Sequence, residues 1–156
     1  LAQLKQRAPD FAALFRVNTL FNVEVTRLRM PANDTRLVNS DEIERILSRK
    51  LNDGICDKLG QMFPSAINIL LIISGWEISH TKLLATLNGL RISAEQKNDA
   101  FFIRQGFQDS RDFLKHLQRL SAIFCQTEGQ QACVFWLNPL ARHAIPKELL
   151  NALQKL

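Results

Sequence analysis

Between Thr19 and Arg29 the chain alternates. Phe21, Val23 and Val25 fall on one side of an extended backbone, and Asn22, Glu24 and Thr26 on the other. A period of two, with aromatic and β-branched residues on one face, predicts a strand. A first short strand, opened by Pro9-Asp10, precedes it, and a tight turn at Val17-Asn18-Thr19 makes the two a hairpin. Leu1 to Ala8 reads as a helix end or an irregular lead-in.

The period then changes. Pro31-Ala32-Asn33-Asp34 has the composition of a loop. Asn39 or Ser40 can accept orphan N–H groups, and Asp41, Glu42 and Glu44 suit the positive end of a helix dipole. Ile43, Ile46, Leu47, Leu51, Ile55 and Leu59 recur at three and four, a helical face predicted to pack on the sheet. Arg45, Arg49 and Lys50 lie off that stripe. Gly54 is expected to weaken or kink the helix, and Gly60 and Pro64 mark its end. Ile67 to Ser74 is short, Ile-rich and nearly all apolar, the pattern of a central strand buried on both faces.

Beyond Gly75-Trp76, a helix is predicted over His80–Leu90, with Leu83, Leu84 and Leu87 on one side. Ser93-Ala94-Glu95-Gln96 has the form of a capping box opening another. Two helices joined by a short turn admit a DNA-reading pair, but the missing basic recognition face favours packing helices. Asp109 to Leu120 is amphipathic, with Phe113, Leu114, Leu117 and Leu120 inward and Arg111, Lys115 and Arg119 outward. Ala122–Cys125 and Ala132–Leu137 read as strands joined by a turn at Glu128-Gly129. Residues 138–143 form a polar loop in which Arg142 and His143 contact a phosphate or merely connect to a last helix, Pro146–Leu156, with Pro in its first turn. The prediction is one α/β domain with a mixed central β-sheet flanked by helices, a hairpin-helix-strand core and additional C-terminal helices and strands.

Composition bounds this picture without changing it. The 156 residues suffice for one core, and 46% hydrophobic with 22% charged residues is an ordinary globular balance. The longest apolar run, Ile67–Ile73, contains Asn68 and is too short to span a bilayer, so no membrane association is expected. The start lacks a basic region followed by a long apolar stretch, so no signal peptide is read there. Cys56, Cys125 and Cys133 form no CxxC pair, which suggests reduced thiols and a cytoplasmic setting; all three read as buried. His80, His116 and His143 have no zinc-ligand spacing, and GxGxxG, Walker A and GxSxG motifs are absent. The net charge of +5 and pI of about 9.5 are compatible with a polyanion partner but decide little.

The remaining chemistry sits on the hairpin. Asp10 and Glu24, brought together across it, supply the carboxylate oxygens that a hard divalent cation takes. Pro9-Asp10, thirteen intervening residues and Glu24-Val25-Thr26 resemble a degenerate PD-(D/E)xK nuclease signature. The resemblance implies a restriction-endonuclease-like core, supported by the order hairpin, helix, buried strand. It implies Asp10 and Glu24 as ligands of Mg²⁺ or Mn²⁺, with the Val25 carbonyl as a third. It also implies phosphodiester cleavage in DNA or RNA, often by a homodimer. The motif's lysine, which helps to position or activate water, is replaced by Thr26, which carries no charge. Arg27 is adjacent, but the pleat turns it to the opposite face. Arg45, Arg49 or Lys50 on the following helix is the candidate substitute, and these four basic residues are the candidate nucleic-acid contacts. The family's usual helix and strand ahead of the Asp strand need more than eight residues, so the chain is expected to lack them. Two alternatives stand beside the Mg²⁺-dependent nuclease. One is an inactive nuclease-like domain that binds nucleic acid or a protein. The other is a domain in which Asp10 and Glu24 are only strand-end acids.

Overall fold

The structure is a computed structural model that describes residues 8–16, 18–31 and 39–155. The predicted lead-in before Ala8, the turn residue Val17 and the 32–34 part of the predicted loop lie outside the described residues.

The hairpin forms as β1 (Phe11–Phe15) and β2 (Thr19–Leu28), followed by α1 (Ser40–Leu59) and β3 (Ile67–Ser74). Then come α2 (His80–Glu95), α3 (Asp99–Arg104), α4 (Ser110–Leu117), β4 (Leu120–Thr127), β5 (Cys133–Leu137) and α5 (Lys147–Gln154). The strands make a five-stranded mixed sheet in the order β1-β2-β3-β4-β5. Its middle trio, β2, β3 and β4, is parallel, and β1 and β5 add antiparallel edges. Parallel neighbours need crossovers. The helix α1 supplies the first, and α2 to α4 supply the second.

The alternation of β2 sorts the two layers. Glu24, Thr26 and Leu28 are in register with Leu70, Ile72 and Ser74 of β3. On this face lies the larger core, where Leu51, Ile55 and Leu59 of α1, Leu83 and Leu87 of α2, and Phe102, Phe107 and Phe113 are buried. The opposite face carries Phe21, Ile69 and Phe124, packed with Leu149 and Leu153 of α5. The polar side of β2 is therefore the side that α1 covers.

Helix α1 begins where Asn39 accepts the Glu42 N–H at 2.8 Å, and it runs unbroken to Leu59. Gly54 does not kink it. A Cβ there would lie 3.0 Å from Leu28 Cδ2 and 3.8 Å from Thr26, so the glycine lets helix and strand approach closely. The predicted capping box at Ser93 is also corrected. The stripe Leu83, Leu87, Leu90 and Ala94 stays buried through it, so burial extends α2 to Glu95, and the next helix starts after Asn98. Leu120, predicted at a helix end, instead opens β4 opposite Asn68, and α4 stops at Leu117. Cys56 and Cys125 are buried as predicted, but Cys133 is exposed because it begins the edge strand β5. Among the described residues, no helix is long and apolar enough to cross a membrane.

Candidate functional site

The site lies just ahead of the start of β1. Phe11, the first residue of β1, pairs with Val23, so β2 from Glu24 onward has no β1 strand beside it. Asp10 occupies that edge. Its Oδ2 accepts the Val25 N–H at 2.8 Å, so a side chain takes over the bond that a strand partner would have made. The N–H and C=O of one strand residue point to the same edge. The Val25 carbonyl therefore opens toward Asp10 as well.

Glu24 points from β2 into the layer beneath α1, where its side chain is only 3% exposed. A carboxylate taken out of water needs a counter-charge. Lys58, in the last turn of α1, provides it. Its Nζ donates to Asp10 Oδ2 at 2.9 Å and lies 3.4 Å from Glu24 Oε2. The three side chains grade from buried Glu24, through Lys58 at 13% exposed, to Asp10 at 40%. The cluster thus reaches solvent through Asp10 and carries one net negative charge when all three are ionised.

Its electrostatics follow from this placement. The Val25 N–H and the Lys58 ammonium hold the Asp10 carboxyl below its ordinary pKa. Burial, then the neighbouring Asp10 charge, push the Glu24 carboxyl up against the pull of Lys58. Burial pulls the Lys58 ammonium down, but the two carboxylates outweigh it and leave its pKa above the usual lysine value. The shared surroundings thus shift the two carboxyls in opposite directions, Asp10 down and Glu24 up.

The structure brings Asp10, Glu24 and the Val25 backbone together. Thr26 lies on the Glu24 face, but it packs near Gly54 and does not join the charged cluster. Arg27 points the other way, into an ion pair with Glu128 at 2.6 Å. Arg45 and Arg49 are exposed on the helix surface. The basic group that lies beside the two carboxylates is Lys58, on the same helix as Arg45, Arg49 and Lys50. At 1.5 Å per residue, Lys50 lies about 12 Å and Arg45 about 20 Å farther along the helix axis, beyond reach of the carboxylates. A signal for Lys58 was present in the sequence. It falls three residues after Ile55 and seven after Leu51, on the edge of the buried stripe, where lysines are rarely found unless paired. The polar loop after β5 works through its backbone. The Arg142 N–H donates to Gln118 O, and the His143 carbonyl accepts from Ser121 Oγ, while both side chains stay exposed.

Two carboxylates and an outward carbonyl are hard oxygen donors, with a negative charge left over, and that donor set fits Mg²⁺ or Mn²⁺. Among the described residues, no group of three or more His, Cys, Asp or Glu side chains is gathered to hold a metal. Compared with protein-family models, with curated proteins and with solved structures, the chain finds no match.

Proposed function

We propose that this domain is a metal-dependent nuclease of the PD-(D/E)xK type whose lysine comes from helix α1. One observation carries the reading: Lys58 Nζ bridges Asp10 and Glu24 at 2.9 and 3.4 Å. The sequence motif lacks only the positive charge, and Lys58 supplies that charge beside both carboxylates. The order hairpin, helix, parallel strand agrees with such a core.

Each residue then has a defined task. The Val25 N–H holds Asp10 ionised at the solvent-facing edge of the site. Glu24 offers its carboxylate from the dry side. Lys58 sets a positive charge between the two acids, close enough to meet a phosphate oxygen or an attacking water brought to the site. Mg²⁺ or Mn²⁺ on Asp10, Glu24 and the Val25 carbonyl would supply Lewis-acid stabilisation of the phosphate. Water oxygen would add to phosphorus as the bridging P–O bond breaks, the water giving up a proton to solvent and the departing oxygen taking one to leave as an alcohol. The substrate class is a phosphodiester in DNA or RNA, and free thiols at Cys56, Cys125 and Cys133 suit a cytoplasmic setting.

The test uses labelled single- and double-stranded DNA and RNA, with Mg²⁺, Mn²⁺ or EDTA. Wild type should cut in a metal-dependent way, and Lys58→Met should lose about 10²-fold or more. Cutting by Lys58→Met at the wild-type rate would overturn the assignment. So would wild-type cutting that EDTA leaves intact. Metal-independent binding of nucleic acid without cleavage would favour the inactive scaffold.

A further inference from the structure

We infer that Lys58 is the resting occupant of the cation's place, and that a divalent ion binds by displacing its ammonium from between Asp10 and Glu24. The inference rests on the metal-site reading above and concerns how that site is controlled.

The contacts make the case. Lys58 Nζ touches Asp10 Oδ2 and Glu24 Oε2 at once, the arrangement a bridging cation would adopt. Two carboxylates this close, with one buried, cannot stand empty without a large desolvation and repulsion cost. The ammonium removes that cost in the absence of metal. A lysine is also the side chain suited to leave. Its charge is compact and strongly hydrated, and its four-carbon stem lets the head move without the backbone.

Two further features prepare the exchange. Asp10 keeps the Val25 N–H when Lys58 departs, so the outer carboxylate holds its position. Lys58 lies in the last turn of α1, where the helix dipole favours a positive charge. The withdrawn ammonium therefore stays beside the site, free to meet a phosphate oxygen.

The consequence is a split between affinity and activity. Lys58 weakens metal binding while aiding cleavage, so removing it should move the two in opposite directions. Mn²⁺ would be titrated calorimetrically into wild type, Lys58→Met and Lys58→Arg at neutral pH, with circular dichroism confirming the fold. Lys58→Met should bind at least about 10-fold more tightly than wild type, the usual scale for a group tuning a metal site. Lys58→Arg, whose fork grips both carboxylates, should bind more weakly. Equal or weaker binding by a folded Lys58→Met would overturn the exchange and leave the metal site standing. No binding by either protein at millimolar Mn²⁺ would remove both. A second measurement needs no variant. In ¹⁵N spectra of the wild type, the Lys58 ammonium should lose its protection from solvent exchange as Mg²⁺ is added. An unchanged ammonium signal at saturating Mg²⁺ would refute the displacement.

Discussion

Asn22 and Glu24 are successive residues on one face of β2, yet they enter two unlike polar clusters. Asn22 faces Asn68 on β3, and Glu24 faces Leu70 one rung on. Asn68 is buried and neutral, and it is saturated. Its Nδ2 lies within hydrogen-bond distance of the carbonyls of Phe63, Ala66 and Arg119, at 2.8, 3.2 and 2.9 Å. Its N–H donates to Ser121 Oγ, which in turn donates to the His143 carbonyl. Asn138 does similar work, donating to the carbonyls of Leu117 and Leu120. These amides tie the starts of β3 and β4 to the loop after β5. The Glu24 cluster is charged, has one carboxylate at solvent, and holds a lysine that can move. Amides that finish backbone hydrogen bonds have one low-energy arrangement. Charges that share a single counter-ion leave room for a second arrangement, and chemistry needs that room.

The sharpest break between the clusters is in activity. Glu24→Gln should lower cleavage by about 10²-fold or more, because an amide is a poor ligand for a hard cation. Asn68→Ala should leave cleavage per folded molecule unchanged. If Asn68→Ala abolished cleavage in protein shown to be folded, the division of labour would be wrong.

Stability should reverse that ranking. Asn68→Ala removes the two N–H donors shared among the carbonyls of Phe63, Ala66 and Arg119 and leaves a void, which costs about 3 kcal/mol. Urea unfolding should show this, and the melting temperature should fall by about 10 °C. Glu24→Gln should stay within about 1 kcal/mol at neutral pH, since burial and Asp10 already penalise the carboxylate. Its effect should also depend on pH. The raised Glu24 pKa means its contribution is fully present below the ordinary value of 4.5 and is lost as pH rises through the raised value. The depressed Asp10 pKa has the opposite sign, with stability present above 3.8 and lost as pH falls through the lowered value. Glu24→Gln should therefore gain on wild type between pH 4 and pH 7, and a gain in the other direction would contradict the assigned burial.

The two clusters also differ in how far the chain announced them. The strand period around Glu24, the Asn39 cap and the Ile67–Ser74 run are local patterns, and the corresponding elements form where they were read. Asp10 and Glu24 were legible because a hairpin is a local structure. Lys58 was not, because its partners are 34 and 48 residues away and only the packing of α1 on β2 makes the meeting. Its place on an otherwise apolar stripe was the one trace. The Ser93 boundary failed for a related reason. A local capping pattern there is overridden by the burial of Leu90 and Ala94 against the core. Cys133 was misread because strand composition does not tell an edge from a centre.

Gly54 sits where α1 meets β2, beside the charged cluster's helix, and gives a smaller test. Alanine there gains helix propensity of about 1 kcal/mol but presses on Leu28 Cδ2 at 3.0 Å, so Gly54→Ala should be nearly neutral. Gly54→Leu has no space and should cost about 1–3 kcal/mol. It should also lower cleavage, because lifting α1 draws Lys58 from the carboxylates. A Gly54→Leu variant that is fully active would show that helix and strand need not approach so closely for the site to form.

The smallest effect is one of rate, at the far side of the sheet. Cys125 and Cys133 lie on neighbouring strands, with Cys125 opposite Val134 and Cys133 opposite Gln126, so the pleat turns them to opposite faces. Cys125 enters the larger core, and burial pushes its thiol up to about 12, as it does for Cys56. At pH 8 both thiols therefore stay almost wholly protonated, and a reagent must still reach them. Cys133 is also pushed up by burial, but it stands exposed at the start of the edge strand. A chromogenic disulfide reagent should therefore find one accessible thiol in the native protein and three in urea. The two late thiols should react at the rate of opening rather than in proportion to reagent. If Cys125 reacted as fast as Cys133, β4 would be opening locally. The amide ties from Asn68 and Asn138, which anchor the start of that strand, would then be weaker than their distances imply.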